Sequence, residues 1–115
     1  MVWVPKKGAT ERDVAVATRL VPDPRATHFW DGSGVTMREY QKLLRIPAEA
    51  WDVYFLYPPG ARWTDSLPPA PVYWMHQMGV LGGPNAPAPR LDPDELARHT
   101  NMLLQPAAAP PAAQP

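Results

Sequence analysis

The sequence predicts a small mixed α/β domain, and three observations predict it. Short β-branched and aromatic runs, Val2-Trp3-Val4 and residues 51–57, are separated by stretches whose apolar residues recur at helical spacing. Prolines and glycines punctuate the boundaries between these runs. Of 115 residues, 45% are hydrophobic and 19% charged, which suits a folded domain and excludes a fully disordered chain. The domain is expected to occupy residues 1–105. Residues 106–115 are Pro and Ala apart from one Gln, and cannot bury a core. They are expected to be disordered, polyproline-like, or ordered only by a partner.

Val2, Trp3 and Val4 read as a strand end stopped by Pro5. Thr10 with Asp13 has capping-box spacing, and Val14, Ala17 and Val21 share a helical face with Leu20 beside them. Pro22 and Pro24 end that helix near Val21. Residues 25–30 form a short apolar–polar stretch leading into the turn Asp31-Gly32-Ser33-Gly34. Thr36 and Glu39 repeat the capping-box spacing, and Met37, Tyr40, Leu43 and Leu44 give the apolar stripe of a helix ending near Arg45, before Pro47.

Residues 51–57 carry the strongest strand signal. Trp51, Val53, Phe55 and Tyr57 point to one face, and Asp52, Tyr54 and Leu56 to the other. Both faces are mostly apolar, which predicts a strand inside a sheet covered on both sides. Pro58-Pro59-Gly60 ends it, and Ala61-Arg62-Trp63 is a candidate start of the return. Residues 72–77 are apolar and read either as a strand or as a short helical turn. Asp92, with Pro93 at the first helical position and Glu95 beyond, opens a final helix continued by Leu96, His99 or Thr100, Leu103 and Leu104.

Several function classes are excluded early. Lys+Arg and Asp+Glu both number 11, so there is no basic footprint for nucleic acid. No apolar run approaches the ~18 residues of a membrane span, so direct membrane insertion is not expected, and no signal peptide is visible. Gly32-Ser33-Gly34 lacks the lysine of a phosphate loop, and Ser33 lacks the Gly-x-Ser-x-Gly frame of a hydrolase. There is no cysteine, hence no thiol nucleophile, and no cofactor motif.

The blocks His28-Phe29-Trp30-Asp31 and Ala50-Trp51-Asp52-Val53-Tyr54 are accompanied by Val2-Trp3-Val4-Pro5, Asp23-Pro24-Arg25, Leu56-Tyr57, Ala61-Arg62-Trp63 and Pro71 with Trp74-Met75-His76-Gln77. Together they resemble an uncharacterised bacterial group of thioredoxin-like proteins over roughly residues 2–78. The resemblance implies a thioredoxin-like fold that is incomplete here. The strand and helix carrying Cys-x-x-Cys have no counterpart, and the missing strand would be a central one. It therefore implies a protein partner, or self-association, that completes the sheet. A shortened piece of a thiol–disulfide oxidoreductase is the other possibility. The thiol chemistry itself does not carry over, because it needs a thiolate.

Trp3, Trp30, Trp63 and Trp74 are the candidate contact residues for that partner, with the segment after Gln105 as a second contact. The plain alternative is that these rings build the core. A different class of reading is a metal site made by His28, Asp31 and His76, with Asp52 as a further oxygen ligand. No tight ligand spacing supports it. Turn capping already accounts for Asp31, and aromatic packing with hydrogen bonds for His28 and His76. His99 is expected at the surface or in a groove.

Overall fold

The computed structural model describes residues 1–64 and 67–106. They form a small mixed α/β structure with three helices and two small sheets. The order is β1 (Val2–Trp3), α1 (Asp13–Leu20), β2 (Phe29–Trp30), α2 (Val35–Leu44), β3 (Val53–Leu56), β4 (Tyr73–His76), a 3-10 turn (Gly79–Leu81) and α3 (Pro93–Leu104). No helix among the described residues is long and apolar enough to cross a membrane. The expected behaviour of the Pro/Ala segment beyond Pro106 lies outside the described residues.

β1 and β2 run parallel, with Val2 opposite Phe29 and Trp3 opposite Trp30. The β2 pairing is not visible in the sequence, because two residues are too few to display a period of two. Between them, α1 starts later than the Thr10 signal suggests. Residues 10–12 make a turn, and the Asp13 carboxylate accepts hydrogen bonds from the Thr10 backbone N–H (2.7 Å) and hydroxyl (3.2 Å). Only the reciprocal arm of a capping box is thus formed. Val14, Ala17 and Val21 are half-buried as their spacing predicts, while Leu20 is 77% exposed.

α2 likewise starts outside the expected box. Gly34 occupies the N-cap with φ +67°, a left-handed conformation that glycine adopts without a Cβ penalty. Asp31 supplies the capping oxygens in place of Thr36: it accepts from the Val35 N–H (3.1 Å), the Thr36 N–H (2.8 Å) and the Thr36 hydroxyl (2.6 Å). The helix ends at Leu44 with Arg45 also left-handed.

β3 and β4 form an antiparallel pair in the register Val53–His76, Tyr54–Met75, Phe55–Trp74 and Leu56–Tyr73. Of residues 72–77, Tyr73–His76 are therefore a strand and not a helical turn. Ala61, Arg62 and Trp63 are exposed and lie outside any strand. The expectation for residues 51–57 needs a correction. β3 is covered on both faces, by Tyr40 of α2 stacked on Phe55 and by α3 along Tyr54, but its sheet has only two strands. Among the described residues it is an edge strand.

The core lies between α2 and one face of this hairpin. Ile46, Ala50, Met78 and Leu81 are buried together, with Tyr40, Leu44, Trp51, Val53 and Trp74 packed around them. At roughly 2–3 kcal/mol for each fully buried large side chain, this cluster is the main apolar contribution to stability. α3 starts as its sequence predicts: Asp92 accepts from the N–H groups of Asp94 (3.0 Å) and Glu95 (3.2 Å), with Pro93 in the first turn.

Candidate protein-interaction surface

The histidines occupy fixed hydrogen-bonding positions. The Trp3 indole N–H donates to His28 Nδ1 (3.0 Å), and the two rings lie nearly parallel, 3° apart, side by side along that bond. His28 Nε2 then donates to the Val21 carbonyl (3.3 Å). One imidazole thus ties β1 to the end of α1 from the start of β2. His76 is 1% exposed and is used in the same way. Its Nδ1 accepts from the Met78 N–H (3.1 Å), and its Nε2 donates to the Ala88 carbonyl (3.1 Å). In both rings the nitrogen lone pair a metal would need is already accepting a hydrogen bond.

Asp31 caps α2, and its oxygens are taken by residues 35 and 36. Burial raises its carboxyl pKa, and hydrogen bonds led by the Thr36 hydroxyl outweigh that and leave it below the ordinary value. His28, Asp31 and His76 are not gathered into one site. Among the described residues no three His, Cys, Asp or Glu side chains stand where they would hold a metal. Asp52 sits beside Tyr54, whose hydroxyl pKa is raised by burial first and by that carboxylate second. His99 lies flat on Tyr73, ring centres 3.6 Å apart, so it is part of the α3 packing and half-buried.

The four candidate tryptophans have different settings. Trp74 belongs to the core. Trp3 and Trp30 are half-buried. Trp30 lies so close to Gly32 that a Cβ there would come within 2.8 Å of its indole nitrogen, which explains a glycine at that turn position. Trp63 is 45% exposed. It meets Tyr40 edge-on, with centres 6.0 Å apart and planes at 86°.

Trp63 also frames an open groove of about 250 Å³ with Tyr40, Tyr57, Pro58 and Pro69. The Tyr57 hydroxyl donates to the Pro69 carbonyl (2.8 Å), which leaves the Tyr40 hydroxyl to donate to Tyr57 (2.6 Å). The two rings are therefore locked relative to each other. Burial, followed by the bond to Tyr40, pushes the Tyr57 hydroxyl pKa far up, so this relay stays uncharged. Sequence reasoning missed this groove, since its three rings come from α2, the end of β3 and the loop beyond. A second open groove, about 360 Å³, runs between Tyr54 and the α3 residues Leu96, Ala97 and Thr100.

The backbone adds a further surface. The Gln77 N–H donates to the Asp52 carbonyl (3.0 Å), so by antiparallel alternation Tyr54 and Leu56 bond to β4. Val53 and Phe55 turn their N–H and C=O groups to the other side, where no described strand pairs. On β1, the Met1 and Trp3 carbonyls accept from Phe29 and Asp31, which leaves Val2 turned away from β2. The outer side of β4, by contrast, is bridged: His76 exchanges backbone hydrogen bonds with Pro89 and Leu91.

No family model, curated protein or solved structure matches the chain.

Proposed function

We propose that this chain is an incomplete thioredoxin-like domain, without chemistry of its own, that accepts an extended strand from another polypeptide at the open side of β3. The observation that carries this reading is the division of the β-structure into two separate pairs, with Val53 and Phe55 presenting backbone groups to a side without a described strand. A strand added there would be the central one that the sequence resemblance implies. Edges are commonly protected by lysine, proline or a bulge. β3 reads Val-Tyr-Phe-Leu and, apart from its shortness, carries none of these devices. Backbone hydrogen bonds would supply affinity in such a complex, and the side chains alternating along the strand would supply selectivity. The absence of cysteine supports the non-catalytic half of the proposal, as dithiol exchange has no nucleophile here.

Hydrogen exchange combined with light scattering tests it. In the isolated chain the Val53 and Phe55 amides should exchange fast and those of Tyr54 and Leu56 slowly. The fast pair should become slow when the chain associates, and the measured mass identifies a second copy or a different partner. Slow exchange at all four amides in a monomer would mean that the edge is already filled, and the reading would fail.

A further inference from the structure

We infer that the polypeptide received at β3 is a second copy of this chain, joined strand to strand about a two-fold axis that passes beside Tyr54. This rests on the open edge of β3 and names its occupant. The backbone groups of β3 that no described strand pairs belong to Val53 and Phe55, one residue either side of Tyr54. A two-fold rotation there sets Val53 of one copy opposite Phe55 of the other. In an antiparallel ladder each such couple exchanges two backbone hydrogen bonds, so four form and the two edges match in length. The edge is thus complementary to itself, which a two-fold contact requires. Charge does not oppose the pairing. β3 carries none, and Asp52 falls opposite Leu56 of the other copy rather than opposite its own mate.

The groove over Tyr54 seats the second copy. Tyr54 lies on the α3 face of the strand, and the groove of about 360 Å³ runs between it and Leu96, Ala97 and Thr100. About the two-fold axis the two Tyr54 residues form a non-hydrogen-bonded pair on that face, Cα atoms about 4.5 Å apart. Each ring therefore enters the groove of the other copy. α3 is placed to cover both. His99 lies on Tyr73 of β4, and Ala97 stands about 200° round the helix from it. Ala97 thus overhangs the open side of β3, and Leu104, 70% exposed, follows it at helical spacing. The helix bridges Tyr54 on β3 and Tyr73 on β4, so its axis runs over the strand pair. Two-fold symmetry then brings the two α3 axes about 10 Å apart, two strand spacings, a separation at which helices pack. A four-residue edge alone falls short of the roughly 1,200 Å² of a stable interface, and the paired helices and tyrosines extend it. An isolated strand would bring no helix to cover Ala97 and Leu104.

Sedimentation of the full chain at rising concentration, with hydrogen exchange on the same samples, is the test. The expected result is a monomer–dimer equilibrium in which the Val53 and Phe55 amides gain protection in step with the dimer. The chain has no cysteine, so single replacements report the register. Tyr54→Cys should oxidise to a disulfide-linked dimer, since directly opposite residues bring their Cβ atoms within about 4.5 Å. Asp52→Cys and Leu56→Cys should each stay uncrosslinked alone and crosslink when mixed. Ala97→Arg, at an exposed helical position, sets a cation against its own mate. It should weaken association about tenfold or more and leave the melting of the monomer unchanged. A chain that stays monomeric with fast exchange at Val53 and Phe55 would overturn the second copy as occupant and leave the open edge standing. Slow exchange at both amides in a monomer would remove the open edge and this proposal together. A dimer that tolerates Ala97→Arg, or in which Asp52→Cys crosslinks to itself, uses another face or register and would also overturn it.

Discussion

The two halves of the molecule are made of similar parts and are held by different forces. Residues 1–33 contain a parallel strand pair and a helix, and none of their side chains is buried. Every buried residue lies from Gly34 onward, in α2, the hairpin and the segments that pack on them. The first half relies on directional contacts: Trp3 to His28, His28 to Val21, and the backbone bonds between β1 and β2. The second relies on an apolar cluster. A net hydrogen bond contributes on the order of 1 kcal/mol, and burying a large apolar side chain roughly two or three times that. Local stability should therefore fall from the hairpin toward β1, and the first half should open first.

The largest expected effect comes from emptying the core. Leu81→Ala or Ile46→Ala should cost about 2–5 kcal/mol in urea unfolding. Leu20→Ala on exposed α1 should stay within about 0.5 kcal/mol. Similar losses at Leu81 and Leu20 would erase the contrast.

His28→Ala sharpens it from the other side. The Trp3 indole and the Val21 carbonyl lose their partner, a loss of about 1–3 kcal/mol. Hydrogen exchange should locate the damage at residues 2–3 and 29–30 and leave residues 53–56 protected. Loss of protection in the hairpin would mean that the halves unfold as one.

Asp31 links the halves, and its effect depends on pH. Its folded carboxyl pKa lies below the ordinary 3.8, so near that value the native state binds fewer protons than the unfolded state. The capping contribution is therefore complete above that range and is lost as pH falls through the folded value. Asp31→Ala should cost about 1 kcal/mol at neutral pH. The gap from the parent should close in acid, as followed by unfolding at a series of pH values. A gap independent of pH would show that the charge is not involved.

The smallest effect belongs to Arg98→Ala. Its pair with Glu95 (2.8 Å) is exposed at both ends, so the melting temperature should not move measurably.

What could be read from the sequence was local. Asp92 before Pro93 specifies a helix start within four residues, and Pro22 or Pro47 removes a donor wherever it stands. Those boundaries agree with the structure. The starts of α1 and α2 were harder. Thr10 and Thr36 have the spacing of caps, yet at both sites an aspartate takes the capping hydrogen bonds, and a turn decides which residue that is. The strand nature of β2 exists only through its pairing with β1, and the one-sided pairing of β3 only through the path of the whole chain. Neither leaves a periodic trace. The four tryptophans are equivalent by type, and only the folded arrangement separates Trp74 in the core from Trp63 at the groove.

His76 has one more consequence. Its ring and backbone bind residues 78, 88, 89 and 91, so they close the loop between β4 and α3 at its base. In a chain without cysteine, one imidazole and its peptide groups act as a non-covalent crosslink. Beyond a closed base, the entropy of a loop grows only with the logarithm of its length, about 0.6 kcal/mol for each doubling. Residues 82–86 can therefore lengthen or shorten at small cost while α3 keeps its place on the sheet. Variation in loop length is absorbed there, and the position of the last helix is insulated from it.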